Sequence, residues 1–190
     1  MLHWSWVDMP AADCQFIKEK GLNIEAAIKT AIQYEKRVVT VYEDAARTSL
    51  DPTGKRVFEA LAQEEKKHVE YLEAKLAEWK RTGHVKAAEL NTVVPSRERI
   101  EEGVKKLQGR VATPARESEV RLLKRALDIE VETSRFYEKV VEELPSEGRK
   151  LFERFVEIEV GHQAIVQAEM DSVSGLGFWF DMQEFSMEAG

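Results

Sequence analysis

The chain has 190 residues, enough for one domain with a sizeable core. A third of them are charged, the net charge is -7, and glycine and proline are sparse; this balance favours helices and, with no basic cluster, excludes a nucleic-acid partner. Cys14 is the single cysteine, so no intrachain disulfide or cysteine-rich metal knuckle can form, and without a signal-like start or a long apolar run the expectation is a cytoplasmic protein with no membrane partner.

Residues 1–22 form an N-terminal segment marked by Trp4 and Trp6. A first amphipathic helix is predicted from about Asn23 to Ser49, with a stripe at Ile28, Ile32, Glu35, Val39, Tyr42 and Ala46. Asp51-Pro52 reads as an N-cap and first-turn pair opening a second helix, striped by Phe58, Leu61, Glu65, His68, Leu72 and Leu76. A long crossover follows, about 82–112, in which Ile100, Val104 and Leu107 predict a short helix. Thr113-Pro114 repeats the start signal for a third helix, with Leu123, Leu127, Glu130, Ser134, Tyr137 and Val141 on one face. Pro145-Ser146 starts a fourth, carrying Phe152, Phe155, Glu159, His162 and Val166. Short links make each pair an antiparallel hairpin, so residues 23–173 read as an all-α four-helix bundle.

Past Gly175 and Gly177, residues 174–190 are an aromatic tail with Phe178, Trp179 and Phe180. Both aromatic ends are expected to fold over the bundle or to pack in a symmetric dimer, a docking peptide for a partner or shell being the alternative. No Lys or Arg follows Arg154, which speaks against membrane attachment of the tail.

The two hairpins are copies. Glu65 and His68 recur 94 residues on as Glu159 and His162, and Phe58 recurs as Phe152; Glu35 and Tyr42 recur 95 residues on as Glu130 and Tyr137. A loop one residue shorter in the second hairpin explains the step. Glu35 and Glu65 each lie about a dozen residues from their turn, roughly 18 Å at about 1.5 Å per residue, and Glu130 and Glu159 flank theirs alike. Four acids and two histidines can therefore meet in one layer.

Ionisable side chains on apolar stripes cost several kcal/mol unless something pairs with them. A Glu and a His three apart share a helix face and can grip one ion from one side. Four carboxylates balance two divalent cations, and oxygen-rich ligation with two imidazoles suits iron or manganese better than zinc. By contrast Glu64, Glu70, Glu138 and Glu157 read as solvated-face charges, and His3 and His84 as surface residues.

Glu35, Glu65-x-x-His68, Glu130 and Glu159-x-x-His162 together resemble the rubrerythrin branch of the ferritin-like di-iron carboxylate proteins, as does the stretch from Arg56 to His68. The resemblance spans roughly residues 23 to 173. It implies two iron ions, with manganese or a mixed pair possible, bridged by Glu65 and Glu159, closed by Glu35 and Glu130 and capped by His68 and His162. Tyr42 and Tyr137 would hydrogen-bond to the carboxylates beside the site. Two departures stand out: Thr133 replaces the extra glutamate that rubrerythrins proper carry one turn along the third helix, and Cys14 alone cannot build their four-cysteine rubredoxin centre.

The expected function is a di-iron oxidoreductase reacting with hydrogen peroxide or dioxygen, reduced again by an unknown electron donor, in a homo-oligomer with a dimer favoured. A ferroxidase that feeds iron storage is the alternative, and a structural or interaction module with a metal-stabilised core is the third.

Overall fold

The computed structural model describes residues 23–92, 94–95, 98–100, 117–144, 146–175 and 179. Four long helices dominate them: α1 (Ile24–Thr48), α2 (Pro52–Thr82), α3 (Glu117–Glu143) and α4 (Ser146–Gly175). No strand occurs among the described residues, and the fold is all-helical, as expected.

Local chemistry sets the helix ends. The Asn23 side chain accepts a hydrogen bond from the Ala26 N–H at 2.8 Å and caps α1. Asp51 does the same for α2, accepting from Thr53 N at 2.8 Å and Gly54 N at 3.3 Å, with Pro52 in the first turn. The end of α2 is set by Gly83, whose φ of 71° needs the left-handed region and whose N–H closes on the Trp79 carbonyl at 2.8 Å. The Thr113-Pro114 start signal and the helix positions of Val104 and Leu107 lie outside the described residues; residues 98–100 are helical, with Ile100 buried.

The helices pair as two antiparallel hairpins, α1 with α2 and α3 with α4, and α1 also packs on α3. Three positions separate α1 from α2 and two separate α3 from α4, one fewer, which is the shift seen between the two repeat offsets. The turns sit at opposite ends of the bundle. Around the first, Ala45, Val57, Phe58, Leu123, Val166 and Val173 form one apolar cluster; around the second, Ile24, Ile28, Leu72, Leu144, Leu151 and Phe152 form another.

Most predicted stripe positions are buried, but Val39, Leu76, Leu127 and Val141 are only half-buried. At the first of these the core position goes to the neighbouring Val38, because a straight helix drifts relative to a fixed stripe. Where α1 crosses α3, Tyr34 and Phe136 stack at 4.5 Å, and Arg37 spans the pair with two bonds to Glu132 at 2.8 and 3.1 Å.

The crossover runs back along the bundle. Val85 and Leu90 join the cluster near the second turn and Val94 the one near the first. Arg154 of α4 donates to the Leu90 carbonyl at 3.1 Å, and the Pro95 carbonyl comes within 3.4 Å of where a side chain at Gly161 would start. Among the described residues no helix is long and apolar enough to cross a membrane.

Candidate metal centre

Each of the four stripe glutamates, Glu35, Glu65, Glu130 and Glu159, lies thirteen residues from the turn-side end of its helix. Opposite turn positions and similar helix lengths place all four at mid-height, between the two apolar clusters. They and both histidines are at most 1 % exposed.

The six side chains form two overlapping groups. Ligand atoms of Glu35, Glu65, His68 and Glu159 lie within 4.8 Å of one another, and so do those of Glu65, Glu130 and His162. Glu65 belongs to both. Its two oxygens divide between the imidazoles, Oε2 at 2.9 Å from His68 Nδ1 and Oε1 at 2.6 Å from His162 Nδ1. The second contact is close but misdirected: neither atom has a hydrogen-bond partner. Glu35 Oε2, Glu130 Oε2 and both oxygens of Glu159 are likewise buried without a hydrogen-bond partner.

Unpaired buried acceptors on this scale are costly in a native interior. Cations between them remove the cost, and the donors present, carboxylate oxygens with two imidazoles, fit a pair of metal ions. In this arrangement Glu65 would bridge the pair, with Glu35, His68 and Glu159 on one side and Glu130 and His162 on the other. Glu159 is also near enough to Glu130 for each to influence the other's protonation.

The tyrosines connect the hairpins crosswise. Tyr42 of α1 donates its phenol proton to Glu130 of α3, and Tyr137 of α3 donates to Glu35 of α1. Burial, reinforced by the neighbouring carboxylates, raises both phenols well above their ordinary range, so they stay protonated donors.

Without cations the layer is held together by protons. Burial, then the Glu65 charge, pushes Glu35 up to about 8, and burial with Glu130 and Glu35 nearby drives Glu159 higher than usual. Glu130 is also raised, mainly by burial. Glu65 goes the other way. Burial opposes its ionisation, but the two histidines together outweigh burial and keep it well below the usual range. Burial disfavours charge on His68 and His162, yet Glu65 leads the carboxylates in raising both. One carboxylate is thus preset as the anion between two groups that hold protons.

Glu64 contradicts the sequence analysis, Glu119 was missed by it, and Thr133 and Trp179 fall at places it had named. Glu64, read there as a solvated charge, is 1 % exposed, because its position on α2 faces the packed side, within reach of His162 on α4. Glu70, Glu138, Glu157 and His84 are exposed, while His3 lies outside the described residues. Glu119 is buried at the start of α3 and accepts from Ser49 Oγ at 2.7 Å and Leu50 N at 2.9 Å, so it ties the first turn down. Thr133, one turn from Glu130, is fully buried and its hydroxyl has no hydrogen-bond partner. Trp179 packs edge-on against Phe58 at 5.2 Å and lies over Gly54. Of Glu64 and Glu119, Glu64 alone carried a usable signal, its place beside a ligand one residue off the stripe.

An all-helical bundle with carboxylates and histidines gathered in its middle layer is the arrangement of the ferritin-like di-iron superfamily. The family comparison agrees with that class: residues 11–76 match the family model described as Rubrerythrin, and the matched stretch carries Glu35, Glu65 and His68. The assignment of Glu130, Glu159 and His162 stands on the repeat and on their place in the cluster. Neither a curated protein nor a solved structure matches the chain.

Proposed function

We propose that this protein is a non-haem di-iron oxidoreductase that reduces hydrogen peroxide or dioxygen. The observation that carries the reading is the pair of ligand groups sharing Glu65, walled in by apolar clusters and lined with buried acceptor atoms lacking proton partners. Two ferrous ions in these groups would supply the two electrons that, with two protons, turn one hydrogen peroxide into two waters, leaving ferric ions for an external reductant to restore.

The chain's own residues prepare that chemistry. Glu65 is ionised before metal arrives and offers one oxygen to each side. Glu35 and Glu159 hold protons in the metal-free layer and release them as cations enter. Tyr42 and Tyr137 orient Glu130 and Glu35 through their phenol protons, each fixing a carboxylate of the other hairpin. The apolar clusters above and below exclude water, and the Thr133 hydroxyl supplies a small polar group one turn from Glu130.

The test is anaerobic loading with ferrous iron, then rapid mixing with peroxide or dioxygen under optical detection. Two irons per chain and their oxidation by at least one oxidant within catalytic times are expected. Failure to retain two ions, or iron that stays ferrous with both oxidants, would refute the reading.

A further inference from the structure

Glu64 stands next to the shared ligand but belongs to neither ligand group of the pair. It is 1 % exposed, and one of its carboxylate oxygens lies with a ring nitrogen of His68 and one of His162 inside a common 4.8 Å sphere of contacts. The two imidazoles face each other nearly parallel, centroids 5.4 Å apart and planes 11° apart. Both turn Nδ1 towards Glu65. The opposite ring atoms, Nε2 of His68 and of His162, are buried and have no hydrogen-bond partner.

A histidine that offers Nδ1 to a cation must be neutral and carry its proton on Nε2. That N–H then needs an acceptor, because a buried donor without one is costly. In metal sites the acceptor is commonly a carboxylate, which fixes both the tautomer and the ring orientation. In the second hairpin the position equivalent to Glu64 is Ile158, which is buried and offers no acceptor. The duplication is broken where one acid can reach both rings. Lys67, more than half exposed, approaches Glu64 to 3.4 Å and balances its charge from the solvent side.

We propose that Glu64 is a positioning residue: its carboxylate accepts the Nε2 protons of both His68 and His162 and so holds both Nδ1 atoms towards the metal pair. This rests on the metal reading given above. The remaining separation is small enough for a side-chain rotation or one bridging water to close. One carboxylate thereby couples the two halves of the site from the outside, as Glu65 does from the inside.

Zinc, which is diamagnetic, serves as the probe, added to the full chain and to Glu64→Leu and Glu64→Gln. Three readouts are needed: melting of the metal-free protein, zinc affinity and stoichiometry against a chelator, and the Nε2–H signals of nitrogen-labelled histidine. The expected result is two zinc ions in every form, with affinity for Glu64→Leu reduced about 10- to 100-fold. Its Nε2–H signals should exchange faster with water, while metal-free melting stays near wild type. Glu64→Gln, which retains an acceptor oxygen, should recover part of both effects.

Unchanged affinity and unchanged Nε2–H signals in Glu64→Leu would overturn the inference alone. So would a wild type binding three ions against two for Glu64→Leu, since Glu64 would then be a ligand of a separate cation. A loss confined to metal-free melting would make the residue structural and also overturn it. Wild type that takes up no zinc and no iron overturns the metal reading, and this inference with it.

Discussion

Among the four ligand glutamates Glu65 contacts both histidines, at 2.9 and 2.6 Å, so losing it should matter more than losing any other ligand. Glu65→Ala is expected to empty both metal positions, Glu35→Ala mainly the one beside His68, and Glu130→Ala mainly the one beside His162. Elemental analysis of anaerobically loaded protein checks this; two retained ions in Glu65→Ala would contradict the shared-ligand geometry. The tyrosines give a crossed prediction. Tyr42→Phe removes a donor from Glu130, and Tyr137→Phe one from Glu35, each leaving a buried carboxylate less satisfied at about 1–3 kcal/mol. Denaturant unfolding of metal-free protein would show the loss, and a change within error in both variants would count against those bonds. The six central side chains were legible in the sequence because each breaks an apolar stripe and each has a copy in the repeat. Glu64 was not, since its burial depends on α4, and the α2 stripe alone cannot say which flank a neighbouring helix will cover.

At the scale of elements, the helices were legible from period and caps, and the difference in turn length from the repeat offsets alone. Asp51 and Pro52 announce α2 by local chemistry, whereas Glu119 reaches back to Ser49 and Leu50 from nearly seventy residues away, so no window of sequence shows it. The aromatic tail was expected to fold over the bundle or to pack in a dimer, but where on the bundle it rests was not legible. Its one described residue, Trp179, covers the first turn of α2, where Gly54 leaves room for the indole. A Cβ at that position would sit 2.5 Å from the ring, far inside contact distance. Gly54→Ala should therefore push Trp179 off Phe58 and destabilise the fold by about 1–3 kcal/mol, the cost of overpacking. Thermal unfolding measures it. An alanine variant melting at or above wild type would mean that the tail does not rest there.

On the scale of the whole molecule, the bundle encloses a layer whose protonation differs between folded and unfolded chains. In the metal-free fold Glu35 is raised to about 8, Glu130 and Glu159 are raised, and His68 and His162 lie above their ordinary value. A raised group stabilises the fold fully below its unfolded pKa, and that contribution is lost as pH climbs through its folded pKa. For the glutamates the loss begins near 4.5 and for the histidines near 6.5. Glu65 is lowered, so its contribution is present above 4.5 and disappears only on acidification below that. Between about pH 5 and pH 8 the raised groups alone decide the slope, and metal-free protein should lose stability steadily, by about 1.4 kcal/mol per pH unit for each extra proton the native state holds. Metal reverses the sign. Ligands must shed those protons to coordinate, so affinity and the stability it confers rise with pH over the same window. Denaturant titrations at several pH values, with chelator and with metal, would show two lines diverging as pH rises. Metal-free stability that stays level or climbs from about pH 5 to pH 8 would mean that protons do not replace cations in the layer.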